Sequence, residues 1–479
     1  MRYLNRLNRG REWMIPALVS LMVGCSGGEI KDPGKILADT SASPTRHQVA
    51  IDMIESEGDA DRTVQALKHV IAADGYVPDT RLFAYRRLKM IDQEALLELM
   101  EVRLPRTERL QWRRMVCEEI ASEQWIEMTP TLIRAWARPV PGWVEDGQRP
   151  ERLALVEIYG EDKLPQVLLQ VMLDANPITA ANLRARCWEL LVENGEQDVL
   201  RELLANAETR PNDGMVRDLS TIASKVGVVP RNREEVLWAR ALCDSDNKAF
   251  VDEVEIAASR LPEDRRKNLE MRDLSVVVAA SRHAPSLLDA DDATLYGQLE
   301  THVKSVKRRI PSANFEGWNR MHTERLHDHR EALTWGDLAV MLVVVEALEV
   351  PQVLDHIFDQ AERDLEDRTT EYGGVLALDD KGRFVLKEFP PRRKGNDKRF
   401  EAPQAMFDAG YTAIAHYHNH AQEYENGDFA GPHMGDFAYA RNTRANCLVF
   451  TFLDSRSINV DFYRHGRLVV DLGVFRRPD

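Results

Sequence analysis

The feature that most constrains this chain is a change in the period of its apolar residues near residue 365. Between about residues 47 and 310, apolar residues recur at spacings of three and four. Leu96, Leu97 and Met100 share one stripe, and Leu200, Leu203 and Leu204 share another. Such spacing lines up one face of a helix. Breaks rich in Pro, Gly, Asn and Asp fall at 139–142, 176–177, 210–214 and 229–230, so the segment predicts helical hairpins in an irregular repeat array or a compact bundle. After residue 365 the pattern shortens. Residues 373–378, a turn at 379–382 and residues 384–386 read as a β-hairpin. Further strands are expected at 411–417, 447–453, 458–463 and 467–472, with a short helix at 435–443 between the first two. The last three strands should form an antiparallel meander packed with helices, an α+β domain. The expected fold class is therefore multidomain: a helical body over 47–310, a helical linker over 311–364 that opens the C-terminal domain, and the α+β domain over 365–479.

Composition agrees with a folded, helix-rich, acidic protein. The 479 residues are 44% hydrophobic but only 7% aromatic, with 63 Lys and Arg against 78 Asp and Glu, a net charge of −15. A chain of that length has room for about three domains at roughly 150 residues each. Nucleic acid is excluded as a partner, because neutralising phosphates needs a basic surplus. Cys25, Cys117, Cys187, Cys243 and Cys447 are scattered with no CxxC pair, which excludes a disulfide framework and a thiolate zinc site. Within the body, Trp112, Trp125, Trp136, Trp143, Trp188 and Trp238 read as helix core, with a partner-binding groove as the alternative. His322, His327 and His329 cluster in polar surroundings and read as a solvated helix face or loop rather than a metal site.

The N-terminus reads as an export signal. Arg2, Arg6, Arg9 and Arg11 precede an apolar run over residues 14–24, shorter than the roughly 20 residues a bilayer span needs. The run ends at Gly24-Cys25, which resembles the lipobox of bacterial lipoproteins, in which the cysteine is lipidated and becomes the new N-terminus. The resemblance implies a signal peptide over 1–24, a lipid anchor on Cys25 and an extracytoplasmic place in a bacterial cell envelope. Removing residues 1–24 takes away four Arg and one Glu, so the remainder moves from −15 to about −18. Residues 25–46, rich in Ser, Gly, Pro and Asp, are expected to form a flexible tether.

Chemistry concentrates in the last domain. His418-Asn419-His420 lies at the end of an expected strand. Residues two apart on a strand share a face, so both imidazoles can converge on one cation while Asn419 points away. A catalytic zinc site needs one more protein ligand and a position left for water. Asp436, just inside the short helix, is the best third ligand, with Asp428 as its competitor. Hydrolysis also needs a carboxylate beside the attacking water, and Glu371, just before the first strand, is the candidate. His416 shares the strand face but reads as packing against a helix.

These residues occur in an order that resembles the JAB/MPN metalloprotease family, whose active members carry the JAMM motif. Glu371-Tyr372-Gly373-Gly374 matches the opening of that motif, and Tyr417-His418-Asn419-His420 matches its His-x-His. His433-Met434-Gly435-Asp436 takes the place of Ser-x-x-Asp. The resemblance spans roughly residues 335–475. It implies zinc held by His418, His420 and Asp436, Glu371 as general base, and a peptide or isopeptide bond in a protein or peptide substrate. His433 stands where the family has an oxyanion-stabilising Ser, so it is either a hydrogen-bond donor or a further ligand. The sixteen positions from His420 to Asp436 imply an insertion around residues 422–427. The alternative function is a lipid-tethered interaction scaffold, with the helical array binding a protein partner and the last domain serving as an inactive cap.

Overall fold

The structure is a computed structural model that describes residues 30–138, 146–308, 323–422, 426–427 and 430–478. The signal peptide, Cys25, Trp143, the 139–142 break, His322 and Asp428 lie outside the described residues. A mostly helical N-terminal body is followed by a mixed six-stranded sheet with helices, as the change of period implies. The chain divides into two compact units, Met1–Val116 and Cys117–Asp479. Among the described residues no helix is long and apolar enough to cross a membrane.

In the first unit the segment expected as a flexible tether is helical in part. Residues Pro33–Ala38 form a helix, and the next helix, Pro44–Ser56, begins inside the same segment. Asp32 accepts the Lys35 N–H at 3.1 Å and Ser43 accepts the Arg46 N–H at 3.4 Å, each with proline as the following residue. Asp-Pro and Ser-Pro are linker composition, but they are also an N-cap followed by proline in the first helical turn. Leu37 is buried and its carbonyl accepts the Tyr76 hydroxyl. The tryptophans resolve as core. Trp112, Trp125, Trp136, Trp188 and Trp238 are all buried; Trp112 stacks under the Arg81 guanidinium at 4.4 Å, and the Trp188 indole N–H donates to Pro230 O at 2.8 Å.

The second unit carries a further correction. The helices after residue 117 and the sheet belong to one unit, so the change of period near 365 is not a boundary between compact bodies. The described part of the segment expected as a helical linker that opens the C-terminal domain contributes two helices to this unit. The helix Trp335–Leu348 buries twelve of its fourteen residues, and Pro351–Glu366 follows it with one apolar face inward.

The sheet runs β2-β1-β3-β4-β5-β6, with β1 Gly373–Leu378, β2 Phe384–Phe389, β3 Ala415–His420, β4 Cys447–Asp454, β5 Ser457–Arg464 and β6 Leu468–Arg476. All neighbours are antiparallel except β3 and β4, which are parallel. A parallel pair needs a crossover, and the helix Met434–Thr443 supplies it. The last three strands form the expected meander. Strand β3 starts at Ala415 rather than 411, because the preceding helix Gln404–Gly410 and its turn occupy the intervening residues.

Candidate metal centre

Strand β3 sits in the middle of the sheet and every one of its six residues is buried. Its alternation separates two environments. Asn419 faces the helix Pro351–Glu366, where its amide donates to Gln360 Oε1 at 3.3 Å. His416, His418 and His420 face the other side, over a cleft of about 880 Å³ that the helix Met434–Thr443 also lines. His418 pairs in register with Gly373 of β1 and Val449 of β4, which places Glu371, two residues before β1, across from His420 and in one group with both histidines. Close approach of the strands demands glycine here. A Cβ on Gly373 would lie 2.7 Å from Tyr417 O, and one on Gly374 would lie 2.1 Å from Lys387 O.

The expected ligands come together. His418 Nε2 lies 3.2 Å from His420 Nε2 and 3.5 Å from Asp436 Oδ1. The donor atoms of Glu371, His418 and His420 lie within 4.8 Å of one another, as do those of His420, His433 and Asp436. Donors placed about 2.0–2.1 Å from a tetrahedral cation are separated by about 3.3 Å, so the spacings of 3.2 and 3.5 Å around His418 Nε2 fit such a cation. These buried His, Glu and Asp groups could hold a metal ion. Asp436 is set by its helix start: its Oδ2 accepts the His433 backbone N–H at 2.6 Å. The positive end of that helix also favours a carboxylate. The His433 ring stacks on His420, centroids 5.0 Å apart.

The electrostatics are those of a compact group of mutually dependent charges. Burial lifts the Glu371 carboxyl to about 7, against the pull of His418. For His418, burial favours the neutral ring, but Asp436 and Glu371 outweigh it and hold the ring up at about 9. Burial would raise Asp436, yet the imidazoles of His418 and His420 keep it well below the usual carboxylate range. His416 is different in kind. Burial pushes it down to about 4, and its Nδ1 lies 2.7 Å from the hydroxyl of Tyr439 on the helix Met434–Thr443, so it is a packed neutral ring although it shares the strand face of His418 and His420.

Other expectations resolve too. The loop expected as an insertion is fastened at Asn426, whose backbone and side-chain N–H groups both donate to Phe452 O at 3.1 Å. His329 Nε2 lies 2.7 Å from Thr323 O and His327 Nδ1 3.1 Å from Asp328; neither belongs to a metal-competent group among the described residues. Two neighbours escaped sequence reasoning. Gln422 donates to Glu371 Oε1 at 3.1 Å. Asp364 accepts the Tyr372 N–H at 3.2 Å, and burial lifts its carboxyl to about 8. Asp364 falls on the inward stripe with Ile357 and Ala361, so an acidic residue on an apolar helix face was the available signal. No protein-family model, curated protein or solved structure matches the chain.

Proposed function

We propose that this protein is a zinc-dependent hydrolase of peptide or isopeptide bonds, tethered through a lipid on Cys25 in the extracytoplasmic part of a bacterial cell envelope. The observation that carries the chemistry is the donor spacing of 3.2 and 3.5 Å around His418 Nε2, with Glu371 buried beside it. Two imidazoles and one carboxylate suit zinc and leave a position for water. When bound, zinc lowers the pKa of a water from about 15.7 toward roughly 7 and polarises a carbonyl oxygen.

The chain's own residues supply the rest. His418, His420 and Asp436 are the ligands. Glu371 is the general base, its carboxyl buried beside the ligands and lifted by that burial. Its carboxylate takes a proton from the attacking water as the C–O bond forms, and passes it to the leaving nitrogen as the C–N bond breaks. Gln422 orients that carboxylate through its 3.1 Å hydrogen bond. His433 donates a ring N–H to the oxygen on which charge develops. The order Glu371, His418-x-His420, Asp436 resembles that of JAB/MPN metalloproteases and supports the same reaction type.

Elemental analysis of the purified full chain is expected to find about one zinc per chain. Absence of metal with the histidines intact would end the enzyme reading in favour of a tethered scaffold. Glu371→Gln is expected to keep its zinc while hydrolysis falls by about a hundredfold to ten-thousandfold; stoichiometric metal loss in that variant would make Glu371 a ligand instead.

A further inference from the structure

One wall of the cleft is a single segment of chain. Arg392, Lys398, Arg399, Phe400, Glu401 and Ala402 line it. The segment, residues 390–403, carries five basic and two acidic residues in a chain whose net charge is −15. A basic stretch is most often a solvated loop, but this one is fastened to the site. Arg399 O accepts the Glu371 N–H at 3.4 Å and the Thr370 hydroxyl at 3.2 Å, and Asp397 O accepts the Gln422 amide at 3.0 Å. The same residues that hold the general base therefore hold the basic wall.

Its charges are arranged around a carboxylate. Arg392 Nη2 lies 2.9 Å and Arg399 Nη2 3.0 Å from the two oxygens of Glu401, while the arginine side chains remain 63% and 64% exposed. Each guanidinium has five N–H donors, so donors remain for a second anion. Lys394 is engaged elsewhere, with Asp367 at 2.5 Å. Of the segment's residues that line the cleft, Glu401 is acidic and Arg392, Lys398 and Arg399 are basic. Elsewhere the acidic surplus of the protein repels anions, so a net positive wall at the cleft favours them locally. Arginine pairs recognise carboxylates with directional, charge-assisted hydrogen bonds.

We infer that the cleft selects peptides bearing Asp or Glu beside the bond to be cut, with Arg392 and Arg399 as the carboxylate clamp; this rests on the hydrolase reading above. The test uses the zinc-loaded full chain as Glu371→Gln, which binds without turnover, and fluorescent peptides of equal length that are Glu-rich, Gln-rich or Lys-rich. Anisotropy is expected to show the Glu-rich peptide binding about tenfold tighter than the Gln-rich one, with Lys-rich weakest. Adding Arg392→Gln and Arg399→Gln should erase the preference while zinc content and circular dichroism stay unchanged. Equal binding of the three peptides, or a preference that survives in the folded double variant, overturns the clamp. Cleavage by the wild-type protein is read separately. Equal cleavage of all three peptides overturns the clamp and leaves the hydrolase, whereas Glu-rich binding with no cleavage overturns the hydrolase and leaves the clamp.

Discussion

His433 touches the candidate metal group twice, through its backbone and through its ring. Its backbone N–H holds Asp436 at 2.6 Å, so the residue helps to set that carboxylate whatever its ring does. The ring lies stacked on His420, in the group that His420 and Asp436 form. His433→Ala keeps the backbone donor and removes the ring. It is expected to retain zinc and to lose about tenfold to a thousandfold in kcat, the range for a lost oxyanion donor. Paired metal and rate measurements check this, and zinc loss would make His433 a fourth ligand. His420→Ala, by contrast, should lose the metal. The His-x-His pair and Glu371 could be read from residue order alone, because strand alternation puts residues two apart on one face. Gln422 could not, since its role depends on where a loop folds back onto Glu371.

At the scale of elements, the site depends on how tightly β1 is held between β2 and β3. Gly374 is the narrowest point, where a Cβ would meet Lys387 O at 2.1 Å. The obstacle is backbone on a paired strand, which cannot swing aside. Gly374→Ala is therefore expected to cost about 3 kcal/mol, at the upper end for overpacking, and to lower activity further by shifting Glu371 away from His418. Urea denaturation alongside a hydrolysis assay checks both parts; an alanine variant of wild-type stability would mean that β1 can separate from β2 locally. The glycine pair was visible in the sequence. Its physical reason was not, because it requires knowing that β1 is an inner strand rather than an edge.

At the scale of the molecule, a buried network of charges joins the helices before residue 310 to the sheet. Arg272 donates to Glu270 at 2.7 Å, to Asp337 at 2.7 Å and to Asn446 at 2.8 Å. Arg464 reaches the two oxygens of Asp337 at 2.7 and 2.9 Å, and Arg444 reaches Glu235 at 2.8 Å and Glu270 at 3.0 Å. Asn446 extends the connection to the site, since its carbonyl accepts the His416 N–H of β3 at 2.8 Å. Arg272→Ala removes the buried cation that Glu270 and Asp337 share, leaving Arg444 beside Glu270 and Arg464 beside Asp337, and is expected to destabilise the Cys117–Asp479 unit by about 3–5 kcal/mol, read from its denaturation midpoint. The network also sets an acid limit. Burial alone would raise the Asp337 carboxyl, but Arg272 and Arg464 hold it at about 2, below its ordinary 3.8. The unfolded chain therefore binds this proton more readily. The stabilisation, roughly 2 kcal/mol, is complete above pH ~4 and is lost as pH falls toward ~2. Asp337→Asn should be less stable near neutrality and show a shallower loss between those pH values; a wild-type acid profile in that variant would remove Asp337 from the account.

The sequence by itself determined the two kinds of secondary structure, most strand positions, the His-x-His face and the residue types of the candidate metal group. Each is local, following from periods of two and 3.6 and from the chemistry of a few side chains. Tertiary structure decided the rest. It turned Asp32-Pro33 and Ser43-Pro44 into helix starts, made the 335–348 stretch a core helix, and brought residues 117–308 into one unit with the sheet. It also brought the basic 390–403 segment against Glu371. Those outcomes depend on which buried charges and glycine contacts meet across tens to hundreds of residues, and no local period carries that information.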